Sequence, residues 1–133
     1  MTRRPRVPAN CDLTLGLRCI DKSEPGVTVW TMTPGDELSN PAGVIQGGFL
    51  SAFADTAMAS ATITNLQGRK AFTANAELKI SFLRPAHPGQ RLTCTARVIG
   101  GGQRVAFVEA EINDAEGLLV AKASSTYVLT PRE

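Results

Sequence analysis

The chain has 133 residues, a hydrophobic content of 43%, a charged content of 20% and a formal net charge of +2. That length gives one ordinary domain with room for a substantial core, and that balance excludes a disordered chain. The weak net charge, with no basic stripe interleaved with aromatics, argues against a nucleic-acid binder.

Residues 1–12 read as a flexible N-terminal segment carrying Arg3, Arg4 and Arg6, followed by a single domain over 13–133. Asn10, Asp12, Arg18 and Asp21 interrupt any run of signal-peptide length. The most apolar stretch, 49–63, is too short and too rich in Ser, Thr and Asp to span a bilayer. Cys11, Cys19 and Cys94 are odd in number and lack metal-ligand spacing, so free thiols in a cytoplasmic protein are expected.

The first predicted elements are two strands within 13–33. Leu13, Leu15, Leu17 and Cys19 alternate with polar or small residues, a Ser-Glu-Pro-Gly turn follows at 23–26, and 27–32 is β-branched and aromatic. Pro34 and Gly35 stop the second strand, and 38–45 is a loop broken by Pro41 and Gly43. A long helix then starts near Gln46 and runs to a left-handed stop at Gly68. Its alanines let another backbone approach closely, and Phe49, Leu50, Phe53 and Met58 give it a broad apolar surface, so burial on nearly all sides is expected. Its one charge between 40 and 66 is Asp55, and a lone acid in such a setting is costly without a purpose.

Four strands follow. Residues 72–83 alternate Leu78, Ile80 and Phe82 against Glu77, Lys79 and Ser81, and 84–89 form a turn around His87. Strands over 91–99, 103–113 and 118–129 are joined by glycine-bearing turns, and such short connections force antiparallel neighbours. The order β-β-α-β-β-β-β predicts an α+β fold in which a curved, antiparallel six-stranded sheet wraps around one long central helix.

Three blocks in this order carry a resemblance: N-x-x-G-x-x-Q-G-G-x-x-x-x-x-x-D over 40–55, E-L-K-I-S-F-L-R-P over 77–85, and the closing hairpin from Val98 through Arg104 to Ala121. Together they resemble the hotdog-fold acyl-CoA thioesterases, in the PaaI-like branch of the phenylacetate pathway, near the 4-hydroxybenzoyl-CoA thioesterases. The resemblance implies hydrolysis of an acyl- or aryl-CoA thioester to free acid and coenzyme A, with no cofactor. It also implies a homodimer, paired into a dimer of dimers. One position departs from the usual family pattern, since Gln46 stands where the family most often has His; Gln can donate a hydrogen bond but cannot titrate.

The candidate catalytic residues are Asp55, Gly47, Gly48, Gln46, Asn40 and Asn75. Gly47 and Gly48 lie where a helix start leaves unpaired N–H groups, suited to an oxyanion. Asp55 is either the general base for water or a nucleophile forming an anhydride. Asn40 shapes the loop or orients Gln46 or the water, and the resemblance places Asn75 where relatives carry a Ser or Thr assisting the acid. Gly47 and Asp55 lie about 12 Å apart along one helix, too far to serve one carbonyl. A second helix running antiparallel across a two-fold axis would bring Gly47 of one copy to Asp55 of the other, so an obligate dimer is expected. For coenzyme A the resemblance points to Gly100, Gly101, Gly102, Gln103 and Arg104, with Phe82, Arg84 and His87 nearby. No G-x-S-x-G elbow and no metal-binding pattern is present. The rival reading is an acyl-CoA-binding protein that holds thioesters without cleaving them.

Overall fold

The computed structural model describes residues 7–132; residues 1–6, the first half of the expected N-terminal segment, and residue 133 lie outside the described residues. The elements are α1 (Asn10–Leu15), β1 (Arg18–Asp21), β2 (Val27–Met32), a 3-10 turn (Asp36–Leu38), α2 (Gly47–Asn65), β3 (Ala71–Phe82), β4 (Leu92–Gly101), β5 (Val105–Asn113) and β6 (Leu119–Pro131). All strand pairs are antiparallel, in the sheet order β1-β2-β4-β5-β6-β3, and α2 packs across the inner face. No helix among the described residues is long and apolar enough to cross a membrane.

Five of the six strands fall where the sequence puts them, and the first does not. The alternation of Leu13, Leu15 and Leu17 belongs to α1 and its exit, and only a four-residue β1 remains of the expected strand. Helix α1 also straddles the boundary expected at residue 12. Gly16 ends it in the left-handed region at φ 68°, a conformation that favours glycine at a helix C-terminus. The nearly buried carboxylate of Asp12 accepts a hydrogen bond from Thr56 Oγ1 on α2 at 3.4 Å, which ties α1 to the central helix.

The core forms where α2 meets a concave sheet face built from small side chains. Leu50, Phe53, Ala54, Ala57, Met58 and Ala61 of α2 pack against Met32, Cys94, Ala96, Val108, Ala110, Ile112, Ala121 and Ala123, all buried. Alanine on both sides lets helix and sheet approach closely. The approach is close enough for the fully buried Thr28 hydroxyl on β2 to donate to the Ala57 carbonyl at 2.8 Å.

The helix is not covered on all sides, contrary to the sequence expectation. Ser51, Ala52, Asp55, Thr56, Ala59 and Ser60 form a half-buried face of small residues turned away from the sheet. Helical periodicity explains this: the large side chains Leu50, Phe53 and Met58 share the sheet side, and what is left opposite is short until Ile63, 55% exposed near the helix end.

Among the described residues, strand β3 forms an edge of the sheet and pairs only with β6. Its register slips between Asn75 and Glu77, so Ala76 is an extra, bulged residue. The bulge resets the alternation and lets Asn75 share the inner face with Leu78 and Ile80, which strict parity would forbid. Phe82 does not join them: it is 52% exposed at the strand end.

Candidate active site

Asp55 lies at the middle of α2, half-buried, at the edge of the small-residue face. Two neighbouring strands reach it. Tyr127 on β6 donates its hydroxyl proton to Asp55 Oδ1 at 2.5 Å and also lies 3.0 Å from the Asp55 main-chain oxygen. Asn75 on β3, paired directly with Tyr127 in the ladder, donates Nδ2 to the same Oδ1 at 2.9 Å. That amide also contacts Ser125 Oγ at 3.2 Å and the Tyr127 hydroxyl at 3.4 Å.

The carboxylate is therefore asymmetric. Oδ1 receives two donors; Oδ2 has no partner among the described residues and is not a buried atom. The cost of this arrangement falls on Asn75, whose Oδ1 is buried with no donor among the described residues. An orphaned acceptor of that kind costs about 1–3 kcal/mol. The amide is held with its NH₂ toward the acid because turning it would set oxygen against oxygen.

Tyr127 is 1% exposed. Burial, then the hydrogen bond to Asp55 and the charge of Asp55, push its hydroxyl far above the ordinary value of 10.0. Burial likewise pushes the Cys94 thiol from 9.0 up to about 12. Below their ordinary values both groups are protonated folded or unfolded, and stability does not depend on them. Above those values the unfolded chain releases protons that the folded chain keeps, so stability falls as pH rises. Urea denaturation at stepped pH is expected to show a loss beginning near pH 9 and steepening above pH 10, at about 1.4 kcal/mol per pH unit for each group. Cys94→Ala is expected to reduce the first part of the slope, to which the Cys19 thiol, also raised by burial, contributes as well; a flat profile up to pH 12 would contradict the assignment.

The loop before α2 is folded by Asn40. Its Oδ1 accepts from the N–H groups of Ala42 at 3.0 Å and Val44 at 3.3 Å, closing the turn that Gly43 completes at φ 80°. Ile45 N–H is fixed to the Ala86 carbonyl at 2.8 Å, so the entry to α2 is anchored to the β3–β4 connection. Gln46 is the N-cap residue, exposed, and its side chain makes no capping bond. Gly47 and Gly48 open the helix, where their N–H groups have no partner within the helix. A Cβ on Gly47 would meet Phe82 Cζ at 2.7 Å, so the Phe82 ring walls one side of this entrance, whereas Gly48 faces open space.

The structure thus brings Asp55 and Asn75 together and leaves Gly47 and Gly48 about two helical turns from Asp55 on the same chain, with Gln46 and Asn40 before them. The residues expected to hold coenzyme A are likewise divided. Phe82, Arg84 and His87 are exposed beside the start of α2. Gly100, Gly101 and Gly102 line a cavity of about 250 Å³ at its end, with Asn65, Leu66 and Arg69. Gln103 and Arg104 are exposed in the same hairpin. A 19-residue helix separates the two groups by about 28 Å. Gly101 also has a structural reason to be glycine, since its φ is 121° and a Cβ would sit 2.3 Å from the Val105 carbonyl oxygen.

Sequence reasoning missed Tyr127 and Ser125. The signal was the inward row of β6, Ala121, Ala123, Ser125, Tyr127 and Leu129, in which two polar residues interrupt an apolar series. Arg69, beside the hairpin cavity, was missed as well, and only the fold places it there.

The sequence pattern of the thioesterase superfamily matches residues 42–121. The acyl-coenzyme A thioesterase PaaI of Escherichia coli is 36% identical over 111 residues, spanning 84% of this chain and 76% of the relative. The solved structure of the E. coli PaaI protein from the phenylacetic acid degradation operon superposes with a TM-score of 0.84 at 30% identity, covering 91% of this chain and 84% of that one. A phenylacetic acid degradation-related protein from Ralstonia eutropha superposes with a TM-score of 0.83 at 33% identity, covering 93% and 92%.

Proposed function

Because this chain belongs to the thioesterase superfamily, as a PaaI-like protein with the hotdog fold, we propose that it hydrolyses an acyl- or aryl-CoA thioester to the free acid and coenzyme A. The observation that carries the proposal is the Asp55 carboxylate, held through Oδ1 by two donors with Oδ2 left open. In the water route, Oδ2 takes a proton as water oxygen bonds to the thioester carbon, and the carbonyl electron pair moves onto oxygen. Collapse of that intermediate breaks the C–S bond, and the departing thiolate recovers the proton from Asp55. In the nucleophile route, Oδ2 itself bonds to the carbon, the thiolate leaves, and water then cleaves the anhydride. Label found in Asp55 after a single turnover in heavy-oxygen water identifies the anhydride route, since only water attack on the Asp55 carbonyl of that intermediate can leave it there. Neither route needs a cofactor.

The oxyanion donors are the N–H groups of Gly47 and Gly48 of a second copy, with the exposed amide of Gln46 able to add a third donor. Two features support the pairing. Strand β3 is a 12-residue edge, long for a strand left open on one side, and the face of α2 beside it is built from small residues. Antiparallel pairing of two β3 edges across a two-fold axis would set the two α2 helices side by side in opposite directions. Each Asp55 then faces the other copy's Gly47, and the hairpin of one copy lies at the same end as Phe82, Arg84 and His87 of the other. Backbone N–H groups there, with Arg84 and Arg104, suit the amides and phosphates of coenzyme A. The outward side chains Phe72, Phe107 and Val128, each more than 40% exposed, give such a dimer an apolar outer face on which to pair again. The exposed free thiols of Cys11 and Cys19 suit a reducing cytoplasm.

The test is thiol release from a panel of short, long and aryl acyl-CoA esters. Turnover of at least one ester is expected. Saturable binding across the panel with no turnover would replace this reading by that of an acyl-CoA-binding protein.

A further inference from the structure

Tyr127 is a buried ionisable group of the site that the steps above leave unused. We propose that Tyr127 is a positioning residue, whose hydroxyl fixes the Asp55 carboxylate so that Oδ2, and not Oδ1, is the oxygen that reacts. The inference rests on the reading of Asp55 given above and adds to it the device that selects one of two chemically equal oxygens.

A phenol has one proton to give. Its two acceptors here are Asp55 Oδ1 at 2.5 Å and the Asp55 main-chain oxygen at 3.0 Å. The shorter contact lies in the range of a charge-assisted O–H···O⁻ bond, so the proton points to the carboxylate. Asn75 Nδ2 adds a second donor to that oxygen at 2.9 Å. A carboxylate so held cannot rotate about its terminal bond without breaking both contacts, and the free oxygen keeps one direction. Tyr127 is itself fixed, because it is paired in the ladder with Asn75 on one side and Ala106 on the other. The donor therefore comes from the rigid interior of the sheet, and a positioned group needs that kind of support.

Two other roles fit less well. As a plain core residue Tyr127 would be replaceable by phenylalanine, which fills nearly the same volume and buries no hydroxyl. As a proton donor to the leaving thiolate it would have to ionise, and burial together with the charge of Asp55 opposes that. A donor that never loses its proton is suited to orientation.

Tyr127 is the only tyrosine of the chain, so ring-labelled tyrosine gives a single Cζ resonance that reports this contact directly. The experiment uses the full chain in three forms: wild type, Tyr127→Phe and Asp55→Asn. For Tyr127→Phe the expected result is a folded protein whose kcat falls by about 10- to 100-fold with KM within about twofold, the pattern of a misdirected group rather than a lost contact with substrate. For Asp55→Asn, which keeps Tyr127 in place, the Cζ resonance is expected to move at neutral pH. A kcat of Tyr127→Phe within twofold of wild type, or a Cζ resonance unmoved in Asp55→Asn, overturns the proposal. The two readings fail separately. An Asp55→Ala variant that still hydrolyses thioesters defeats the role of Asp55, whereas a dead Asp55→Ala beside a fully active Tyr127→Phe defeats only the role of Tyr127.

Discussion

Asp55→Ala is expected to lower thioester hydrolysis by about 10²- to 10⁴-fold, the usual worth of a positioned base or nucleophile. Asp55→Asn is expected to match it, and the pair of variants separates chemistry from shape. Asparagine keeps the size of the side chain and an oxygen for Tyr127 to donate to, but it can neither take a proton nor form an anhydride. Neither change should disturb the fold. Asp55 is half-exposed on a helix, alanine is the best helix former, and the Tyr127 hydroxyl keeps the Asp55 main-chain oxygen at 3.0 Å as an acceptor. Initial rates of thiol release on an ester the wild type hydrolyses, with circular dichroism as the control, decide the matter; rates equal to wild type would reject the assignment.

Phe53→Ala is expected to have the largest effect on stability, a loss of about 3–5 kcal/mol. Phe53 is 0% exposed at the centre of the helix–sheet contact. Its helix neighbours there, Ala54 and Ala57, are too short to fill the space it would leave, and four of the eight strand residues named above in the same cluster, Ala96, Ala110, Ala121 and Ala123, are alanine as well. A site that cannot collapse around a cavity lies at the upper end of the range. Set against a total of about 5–15 kcal/mol for an ordinary domain, the variant is expected to be close to unfolding, as urea denaturation would show. A loss below about 1 kcal/mol would mean that the helix–sheet contact is looser than the buried residues indicate.

Much of this was legible in the chain. Strands β2 through β6 and the central helix follow from alternation, helical spacing and turn residues, and the motif around Asp55 carries the family. Helix α1 was not legible because Leu13, Leu15 and Leu17 satisfy a period of two as well as a short helix does, and the stop at Gly16 is a single residue. The open face of α2 was hidden by composition: a run of Ala, Ser and Thr reads as buried until the large side chains are seen to share one side.

The site was only half legible. Asp55 announces itself as an isolated charge. Its two donors arrive from strands 20 and 72 positions further along the chain, and the inward turn of Asn75 depends on a one-residue bulge that no local pattern announces. The split of the residues expected to hold coenzyme A between the two ends of α2 could not be read either, because spacing along a sequence does not say which end of a helix a distant hairpin covers. That split and the helical separation of Gly47 from Asp55 lead to the same proposal, a site shared between two copies.

The most direct measurement is therefore the activity of a mixed dimer. Gly47→Pro removes one N–H at the first position of α2, where proline is tolerated and where Gln46, at ψ 135°, already has the extended backbone that precedes proline. Phe82, being exposed, can move from the added ring. Asp55→Ala and Gly47→Pro chains carrying different tags are each expected to be inactive alone. In the purified mixed dimer one site combines both defects and the other has neither, so about half of the wild-type activity should return. A mixed dimer as inactive as its two parents would contradict the shared site.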